Sequence, residues 1–314
     1  MERPGGVSIA WDRFGRLAGR PAVVLHGGPG SGRSPSARRL FDPARWCVTQ
    51  FDQRGCGDSR PHAADDPAIL GLVDIDRMVG DIEALRATLG IERWLVYGGS
   101  WGATLALAYA AAHADRVAAL VLGPVTMTTR GEVDYATRIA GRANAAAWAE
   151  LCAAVPEVTV DLDDPDAGFT LLGALKARLS DPATAQAAAQ AWAAWEITLA
   201  GADHPRWRDP RFQLAFARLV VHAWSACAWL PDGALLDAAA RFDHLPRAIE
   251  GALVHADDDR SATAAAADAL AGVWRGALRV RLDGTAHALT DGGLSAALGR
   301  AIADFAARDD LFEP

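Results

Sequence analysis

The chain contains two hydrophobic patterns, and their order along the sequence predicts the fold. Apolar residues recur at steps of three and four from Ile75 to Leu89, which is typical of a helix, and Gly90 stands where that helix would end. Short strand-like runs lie on either side of it, as expected for buried parallel strands. They occupy residues 22–25, 47–51, 95–97 and 119–122. Strand and helix therefore alternate in the first part of the chain.

The middle of the chain has a helical pattern only. From about residue 125 to 240, alanine, tryptophan and charged residues recur at helical spacing, interrupted by turn signals containing aspartate and proline. Strand patterns resume at 252–255 and 278–282, and a last helix is expected near 294–307. We predict an α/β protein whose mostly parallel central sheet is flanked by helices and interrupted by an all-helical cap. The expected segments are 1–124 (core, first part), 125–240 (cap) and 241–314 (core, second part).

A glycine-rich turn, GGSWG at 98–102, follows the third strand-like run and precedes a helix expected to begin near Ala103. This is the G-x-S-x-G nucleophile elbow of α/β-hydrolases in its usual context. Small residues on both sides of Ser100 allow a tight turn that exposes its hydroxyl at the edge of the sheet. The helix that follows directs its first N–H groups at the same place. Ser100 is therefore the predicted nucleophile, and the N–H of Trp101 a predicted oxyanion donor.

A serine hydroxyl needs a histidine base, and the histidine needs a carboxylate to hold it. In α/β-hydrolases the three follow in the order Ser, Asp, His. Of eight histidines, only His287 follows the last predicted strand after a carboxylate. The carboxylate comes from three consecutive aspartates, 257–259, so the sequence alone leaves a choice between Asp259 and its neighbour Asp258.

The second oxyanion donor is expected in the loop after the first strand-like run. The sequence there is HGGPG at 26–30, in which glycines allow a backbone N–H to approach the substrate oxygen. We predict that the N–H of Gly28 pairs with that of Trp101. A plain turn between strand and helix is the alternative interpretation of this loop.

Composition and charge exclude several classes of function. The 314 residues are 51% hydrophobic and 22% charged, as in an ordinary folded protein, and the net charge of −8 argues against nucleic-acid binding. Apolar stretches are interrupted before the roughly 20 residues that a membrane span needs. From the polar residues at the N-terminus we expect no secretion signal, and the four cysteines are widely spaced. We therefore expect a cytoplasmic protein with reduced thiols and no membrane span; its oligomeric state is not predicted.

With these residues in place, the chain resembles the proline iminopeptidases, or prolyl aminopeptidases, of the α/β-hydrolase superfamily. Three family motifs appear as HGGPG at 26–30, DQRGCGDS at 52–59 and GGSWGATLAL at 98–107. In the cap, AWAAWE at 191–196 is similar to the family's W-x-x-W-E segment. HADDDR at 255–260 is similar to the superfamily's H-G-x-x-D turn, with Ala256 in the glycine place, which favours Asp259 as the triad acid.

The resemblance implies release of N-terminal proline from a small-molecule or short-peptide substrate through an acyl-enzyme on Ser100, without a metal or cofactor. It also implies that Glu196 holds the free amino group of the substrate. Gly27 and Trp195 are further candidates for substrate binding. Two alternatives stay open: Glu196 as a surface carboxylate paired with a cap arginine, and the cap tryptophans as packing residues.

The sequence departs from the family pattern in two places. A second family glutamate falls at Val220, and the family's frequent R-G-I-F segment reads GPVT at 123–126. Losing one charged pair would weaken amine recognition by about one to two powers of ten. Two other functions therefore compete: an amide, ester or lactone hydrolase with a remodelled cap that acts on a specialised metabolite, and a ligand-binding protein without turnover. The intact set of Ser100, His287 and an aspartate argues against the second.

Overall fold

The computed structural model describes residues 1–201, 203–284 and 287–312, and its centre is a seven-stranded sheet in the order β3-β5-β4-β6-β7-β8-β9. The strands in chain order are β1 (Glu2–Arg3), β2 (Val7–Ser8), β3 (Trp11–Gly15), β4 (Arg20–Leu25), β5 (Trp46–Phe51), β6 (Trp94–Ser100), β7 (Val117–Val125), β8 (Glu250–Ala256) and β9 (Ala277–Leu282). All six strand-like runs predicted from the sequence lie within strands. Thr285 and Ala286, next to the predicted base, lie outside the described residues.

The central sheet is parallel except at one edge. Strand β3 pairs antiparallel with β5, whereas every other neighbouring pair in the sheet is parallel. Strands β1 and β2 form a separate antiparallel pair. The mostly parallel sheet is confirmed, but the three N-terminal strands were not anticipated. Strand β3 has the sequence WDRFG and no fully buried position, so it lacks the continuous apolar run of a central strand.

Helices cover both faces of the sheet and fill the long connection between β7 and β8. They are α1 (Pro35–Arg38), α2 (Ile75–Thr88), α3 (Trp101–Ala112), α4 (Arg130–Asp134), α5 (Ala140–Ala143), α6 (Ala145–Ala153), α7 (Ala167–Ser180), α8 (Ala185–Ala200), α9 (Pro210–Ser225), α10 (Ala234–Ala239), α11 (Ala264–Val273) and α12 (Gly292–Phe305). A π-helical turn, Tyr135–Ile139, joins α4 to α5.

Two apolar clusters hold the helices to the sheet. On one face α2, α3 and α11 pack against the strands, with Ile82 and Leu105 completely buried. On the other face α12 packs through residues such as Leu298, together with α1. Helix α2 starts where the carboxylate of Asp74 accepts the N–H of Arg77 at 2.8 Å, and it ends just before Gly90, which has a φ of +65°. The predicted flanking helices are confirmed.

The helices between β7 and β8 have an apolar cluster of their own. It is built from α6 to α9 and includes the indole rings of Trp192 and Trp195. This helical segment lies where the sequence predicts the cap. The division of the chain into 1–124, 125–240 and 241–314 stays a prediction.

Within the three described ranges, no single helix combines the length and the apolar composition needed to cross a bilayer. Helix α9 meets both requirements only together with the segment Cys227–Ala239, and the two are bent by 61° where they join. Cys47, Cys56, Cys152 and Cys227 are free thiols.

Candidate active site

Ser100 lies at the junction of β6 and α3 in a strained backbone conformation. Its φ of 56° and ψ of −129° are unusual for a residue with a side chain, and such strain is found mainly at functional sites. A Cβ on Gly98 would collide with the carbonyl oxygen of Gly102, and one on Gly102 would collide with that of Leu25. The two glycines of the elbow are therefore required by close backbone contacts. The helix begins at Trp101, two residues before the expected Ala103.

His287 and Asp259 form a hydrogen-bonded pair. The Nδ1 atom of His287 lies 2.7 Å from Oδ2 of Asp259. The other carboxylate oxygen accepts the backbone N–H groups of Ser261 at 2.8 Å and Ala262 at 3.1 Å. Both oxygens of Asp259 are therefore used, and the Nε2 atom of His287 is the ring nitrogen left for another partner.

The burial of the three consecutive aspartates distinguishes them. Asp259 is only 6% exposed, whereas Asp257 and Asp258 are exposed. Asp257 lies 3.5 Å from a guanidinium nitrogen of Arg281 on β9. The turn after β8 thus places only Asp259 against the imidazole of His287.

Asp259, His287 and the cap carboxylate Glu196 each have a shifted pKa. Burial alone would raise the pKa of Asp259, but the charge and hydrogen bond of His287 outweigh it and hold that pKa below its ordinary value. Burial alone would lower the pKa of His287, but the charge and hydrogen bond of Asp259, with a contribution from Glu196, raise it. Burial raises the pKa of Glu196 to about 7. Such opposed shifts around one cavity are typical of functional sites.

The two predicted oxyanion donors, the N–H groups of Trp101 and Gly28, belong to two backbone segments that pass beside each other. Trp101 is the first residue of α3, so its N–H has no partner within the helix. In the loop after β4, the carbonyl oxygen of Gly27 accepts the N–H of Ser31 at 3.2 Å. Because the Gly27–Gly28 peptide is trans, the N–H of Gly28 points away from that carbonyl. A Cβ on Gly27 would lie 3.4 Å from the Cβ of Ser100, so this loop passes directly beside the nucleophile.

One cavity of about 590 Å³ connects these groups. Its wall includes Ser100, Trp101, His287, Gly27, Gly28 and Glu196. The cap contributes apolar side chains, among them Leu199, Phe216 and Trp224. The structure thus brings the predicted site residues to one cavity between core and cap, with two exceptions: Asp259, which lies behind His287, and Trp195.

The expectation for Trp195 is corrected by the structure. Its side chain is 1% exposed, its Nε1 donates to the carbonyl of Ala136 at 3.0 Å, and its ring packs edge-on against Trp148. Trp195 is therefore a packing residue of the cap and does not contact the cavity. Trp195 and Glu196 are consecutive on α8 and point about 100° apart, and here the first packs inside the cap while the second lies on the cavity wall. Val220 is also completely buried in the cap cluster.

The loop after β5 is stabilised by hydrogen bonds and burial of Asp52, Arg54 and Cys56. The carboxylate of Asp52 accepts the backbone N–H groups of Arg33 and Asp58. Arg54 forms two hydrogen bonds of 2.6 and 2.8 Å with buried Asp81. Cys56 is 1% exposed, and burial raises the pKa of its thiol well above the ordinary value. These hydrogen bonds hold the loop after β5 in place.

Sequence reasoning missed two residues at the site, Gln53 and Arg206. Gln53 belongs to the DQRG motif, but its contacts with His26 and Trp101 arise only because the fold places β4 beside β5. Arg206 lies in a short 3₁₀ turn, Pro205–Arg208, where nothing in the sequence distinguishes it from the other cap arginines. In the part of the chain that the structure describes, no group of three or more His, Cys, Asp or Glu side chains is arranged to hold a metal ion.

Known proteins resemble this chain in sequence and fold. A family model described as the alpha/beta hydrolase fold matches residues 21–136. The chain is 39% identical to the probable proline iminopeptidase of Streptomyces coelicolor over 81% of this chain and 78% of that protein. It is 38% identical to the proline iminopeptidase of Xylella fastidiosa over 79% and 76% of the two chains. The solved structure of a proline iminopeptidase from Mycobacterium smegmatis has the same fold, with a TM-score of 0.59 over 96% of this chain and 97% of the other at 18% identity.

Proposed function

Because the chain belongs to the proline iminopeptidase family of the α/β-hydrolases, we propose that it releases proline from the N-terminus of short peptides by serine catalysis. One observation carries the proposal. Ser100, strained on its elbow, shares a cavity with His287, whose imidazole is held 2.7 Å from the buried carboxylate of Asp259. This arrangement supplies the nucleophile, base and acid of a catalytic triad.

Acylation follows from the positions of these groups. Nε2 of His287 takes the proton of the Ser100 hydroxyl while the serine oxygen attacks the carbonyl carbon of the prolyl residue. The N–H groups of Trp101 and Gly28 stabilise the negative oxygen that forms. His287 then gives its proton to the leaving amine, and the C–N bond breaks. The N-terminal prolyl group stays on Ser100 as an ester.

Deacylation uses the same groups with water as the nucleophile. His287 takes a proton from water, the hydroxide attacks the ester carbonyl, and the proton returns to the Ser100 oxygen as proline leaves. Throughout, Asp259 stays ionised and stabilises the imidazolium of His287. The depressed pKa of Asp259 supports that role, because the carboxylate remains charged over the working pH range.

Glu196 is the group that we assign to the substrate's imino nitrogen. It lies on the cavity wall, and no described cap arginine forms an ion pair with it. Burial raises the pKa of Glu196 to about 7, so a positively charged ligand nearby would favour its ionised form. The apolar wall of Leu199, Phe216 and Trp224 suits the pyrrolidine ring.

Glu132 is a second carboxylate on the wall, but three donors of the protein already hold it in place. It accepts the backbone N–H groups of Met127 and Thr129 and the hydroxyl of Thr129 at 2.9–3.1 Å. Glu196 is therefore the acid available to an imino group. The names of the relatives favour aminopeptidase activity over the ester or lactone alternative.

The test compares initial rates on proline p-nitroanilide, alanine p-nitroanilide and p-nitrophenyl acetate, each with Ser100→Ala as control. We expect preference for the proline amide and loss of turnover in the folded variant. Ester turnover without cleavage of the proline amide would overturn the proposed substrate and keep the triad. A folded Ser100→Ala variant with undiminished rates would overturn the mechanism.

A further inference from the structure

Arg206 places a largely buried guanidinium group on the wall of the active-site cavity. Its Nη1 donates to the carbonyl of Ser31 at 2.9 Å. Its Nε is buried without a hydrogen-bond partner. The charged end lies over the ring of Phe212, with its carbon 5.0 Å from the ring centroid. Part of the hydrogen-bonding capacity of this guanidinium is therefore unused.

Among the described residues, no carboxylate lies within 4.0 Å of Arg206, whereas two nearby arginines, Arg33 and Arg208, are paired with acids. Arg39, also on the wall, has no such pair either, but its side chain is exposed to solvent. Arg33, on the same wall, contacts Asp12, Asp52 and Asp58. Arg208, two residues away, pairs with Asp203 at 2.7 Å. Arg206 thus differs from these two neighbours, and it also differs from the buried arginines Arg93 and Arg218, which donate only to backbone carbonyls and do not line the cavity.

Burying a charge without a partner is costly, and a guanidinium does not lose its proton to avoid that cost. Burial lowers the pKa of Arg206, but no physiological pH neutralises it. The planar fork of an arginine fits a carboxylate in two parallel hydrogen bonds. A carboxylate bound in the cavity would therefore complement the charge of Arg206 and could accept from its unpartnered Nε.

The two charged groups act on different parts of the cavity. The charge of Glu196 acts on His287, whereas the charge of Arg206 acts on His26, at the start of the glycine-rich loop. Ser31, which Arg206 contacts, directly follows that loop. A substrate bond held at Ser100 would therefore have the carboxylate of Glu196 near His287 and the guanidinium of Arg206 near the glycine-rich loop. A short peptide carries the matching charges, an N-terminal ammonium and a C-terminal carboxylate.

We propose that Arg206 binds the carboxylate of a short peptide on the leaving-group side of the scissile bond. This inference rests on the proposed aminopeptidase function and narrows its substrate class. The carboxylate has two possible sources, the free C-terminus of a dipeptide or an acidic side chain of the residue after proline. We assign the free C-terminus, because it is present in every dipeptide whatever the side chain.

The experiment measures kcat/KM for prolyl-alanine, prolyl-alanine amide and proline p-nitroanilide with the wild-type protein and with Arg206→Gln. A charged hydrogen bond predicts that the wild type prefers the free dipeptide over its amide by about 10- to 100-fold. Arg206→Gln should lose that preference, and its rate on proline p-nitroanilide, which has no carboxylate, should fall far less than its rate on prolyl-alanine. Arg206→Lys should retain part of the preference. Arg208→Gln, in the same turn, is the matched control and should keep all of it.

Each other outcome contradicts a specific statement. Equal wild-type rates on the dipeptide and its amide would overturn the inference and leave the aminopeptidase function intact. Equal losses on all three substrates in Arg206→Gln would show that the residue only ties the cap to Ser31. The wild type could instead prefer prolyl-aspartate amide over prolyl-asparagine amide and cleave prolyl-alanine no faster than prolyl-alanine amide. That result would show that Arg206 binds an acidic side chain and not the free C-terminus. Failure to cleave any prolyl amide would overturn the function and this inference together.

Discussion

The indole N–H of Trp101 donates a 2.9 Å hydrogen bond to the side-chain oxygen of Gln53. The amide nitrogen of the same Gln53 side chain donates to the carbonyl of His26 at 2.9 Å, and its backbone N–H donates to Nε2 of His26 at 3.0 Å. Burial lowers the pKa of His26 to about 4, so its ring is neutral and Nε2 can accept. Gln53 therefore joins the elbow to the glycine-rich loop, which are the two segments that carry the proposed oxyanion donors.

Replacing Gln53 by leucine should reduce kcat while changing KM little. Deleting an oxyanion donor costs about 10²–10³ in kcat, and we expect a smaller loss of about 10- to 100-fold because both donors remain but are less well held. Steady-state kinetics on proline p-nitroanilide measure the effect. Thr49→Val is the matched control. Thr49 lies on β5, the strand just before Gln53, and its buried hydroxyl has no hydrogen-bond partner, so its loss should not disturb the site. A larger KM with unchanged kcat would contradict the positioning role.

The choice between the adjacent aspartates gives a second prediction. Asp259→Asn should lower kcat by about 10⁴, since the amide no longer holds the imidazole in its productive tautomer. Asp258→Asn should change kcat by less than about twofold, because exposed side chains away from the site have small effects. Kinetics of both variants on one substrate, with thermal unfolding as a check on folding, decide the matter. Comparable losses in the two variants would show that the acid is misassigned.

The pH profile should reflect the environment of His287. The base works only when neutral, so activity falls as pH drops through its pKa. Burial lowers the pKa of His287, but Asp259 and Glu196 together raise it above the ordinary 6.5. The acid limb of kcat/KM should therefore have its midpoint above 6.5.

Removing the negative charge of Glu196 tests whether this carboxylate helps to raise the pKa of His287. Glu196→Gln should shift the acid limb to lower pH, because a neutral amide no longer favours the imidazolium. The profile is measured with p-nitrophenyl acetate, which has no amine to bind. Glu150→Gln, an exposed cap carboxylate on α6, is the control and should leave the limb in place. A shift to higher pH in Glu196→Gln would contradict the assigned electrostatics.

Local patterns predicted most of the fold and the centre of the site. The strand, the GGSWG turn and the helix around Ser100 are consecutive in sequence, and the positions of Asp259 and His287 follow from the strands before them. Strand β3 was missed because its half-exposed edge position gives no continuous apolar run. Trp195 was misplaced because neighbouring helical residues face different directions. The unpaired charge of Arg206 depends on which acids the folded cap places nearby, and a single sequence does not contain that information.

Val220 gives the last prediction, because the family resemblance suggests that a glutamate there would restore amine binding. The structure argues against this: Val220 is completely buried on α9 within the cap cluster and does not line the cavity. Val220→Glu should therefore lower the free energy of unfolding by about 3 kcal/mol or more, the cost of an unpaired buried charge, without improving KM for a prolyl amide. Val220→Thr, nearly the same shape with one buried hydroxyl, should cost only about 1–3 kcal/mol. Urea unfolding measures both, and a stable Val220→Glu variant with a lower KM would show that α9 turns this position towards the substrate.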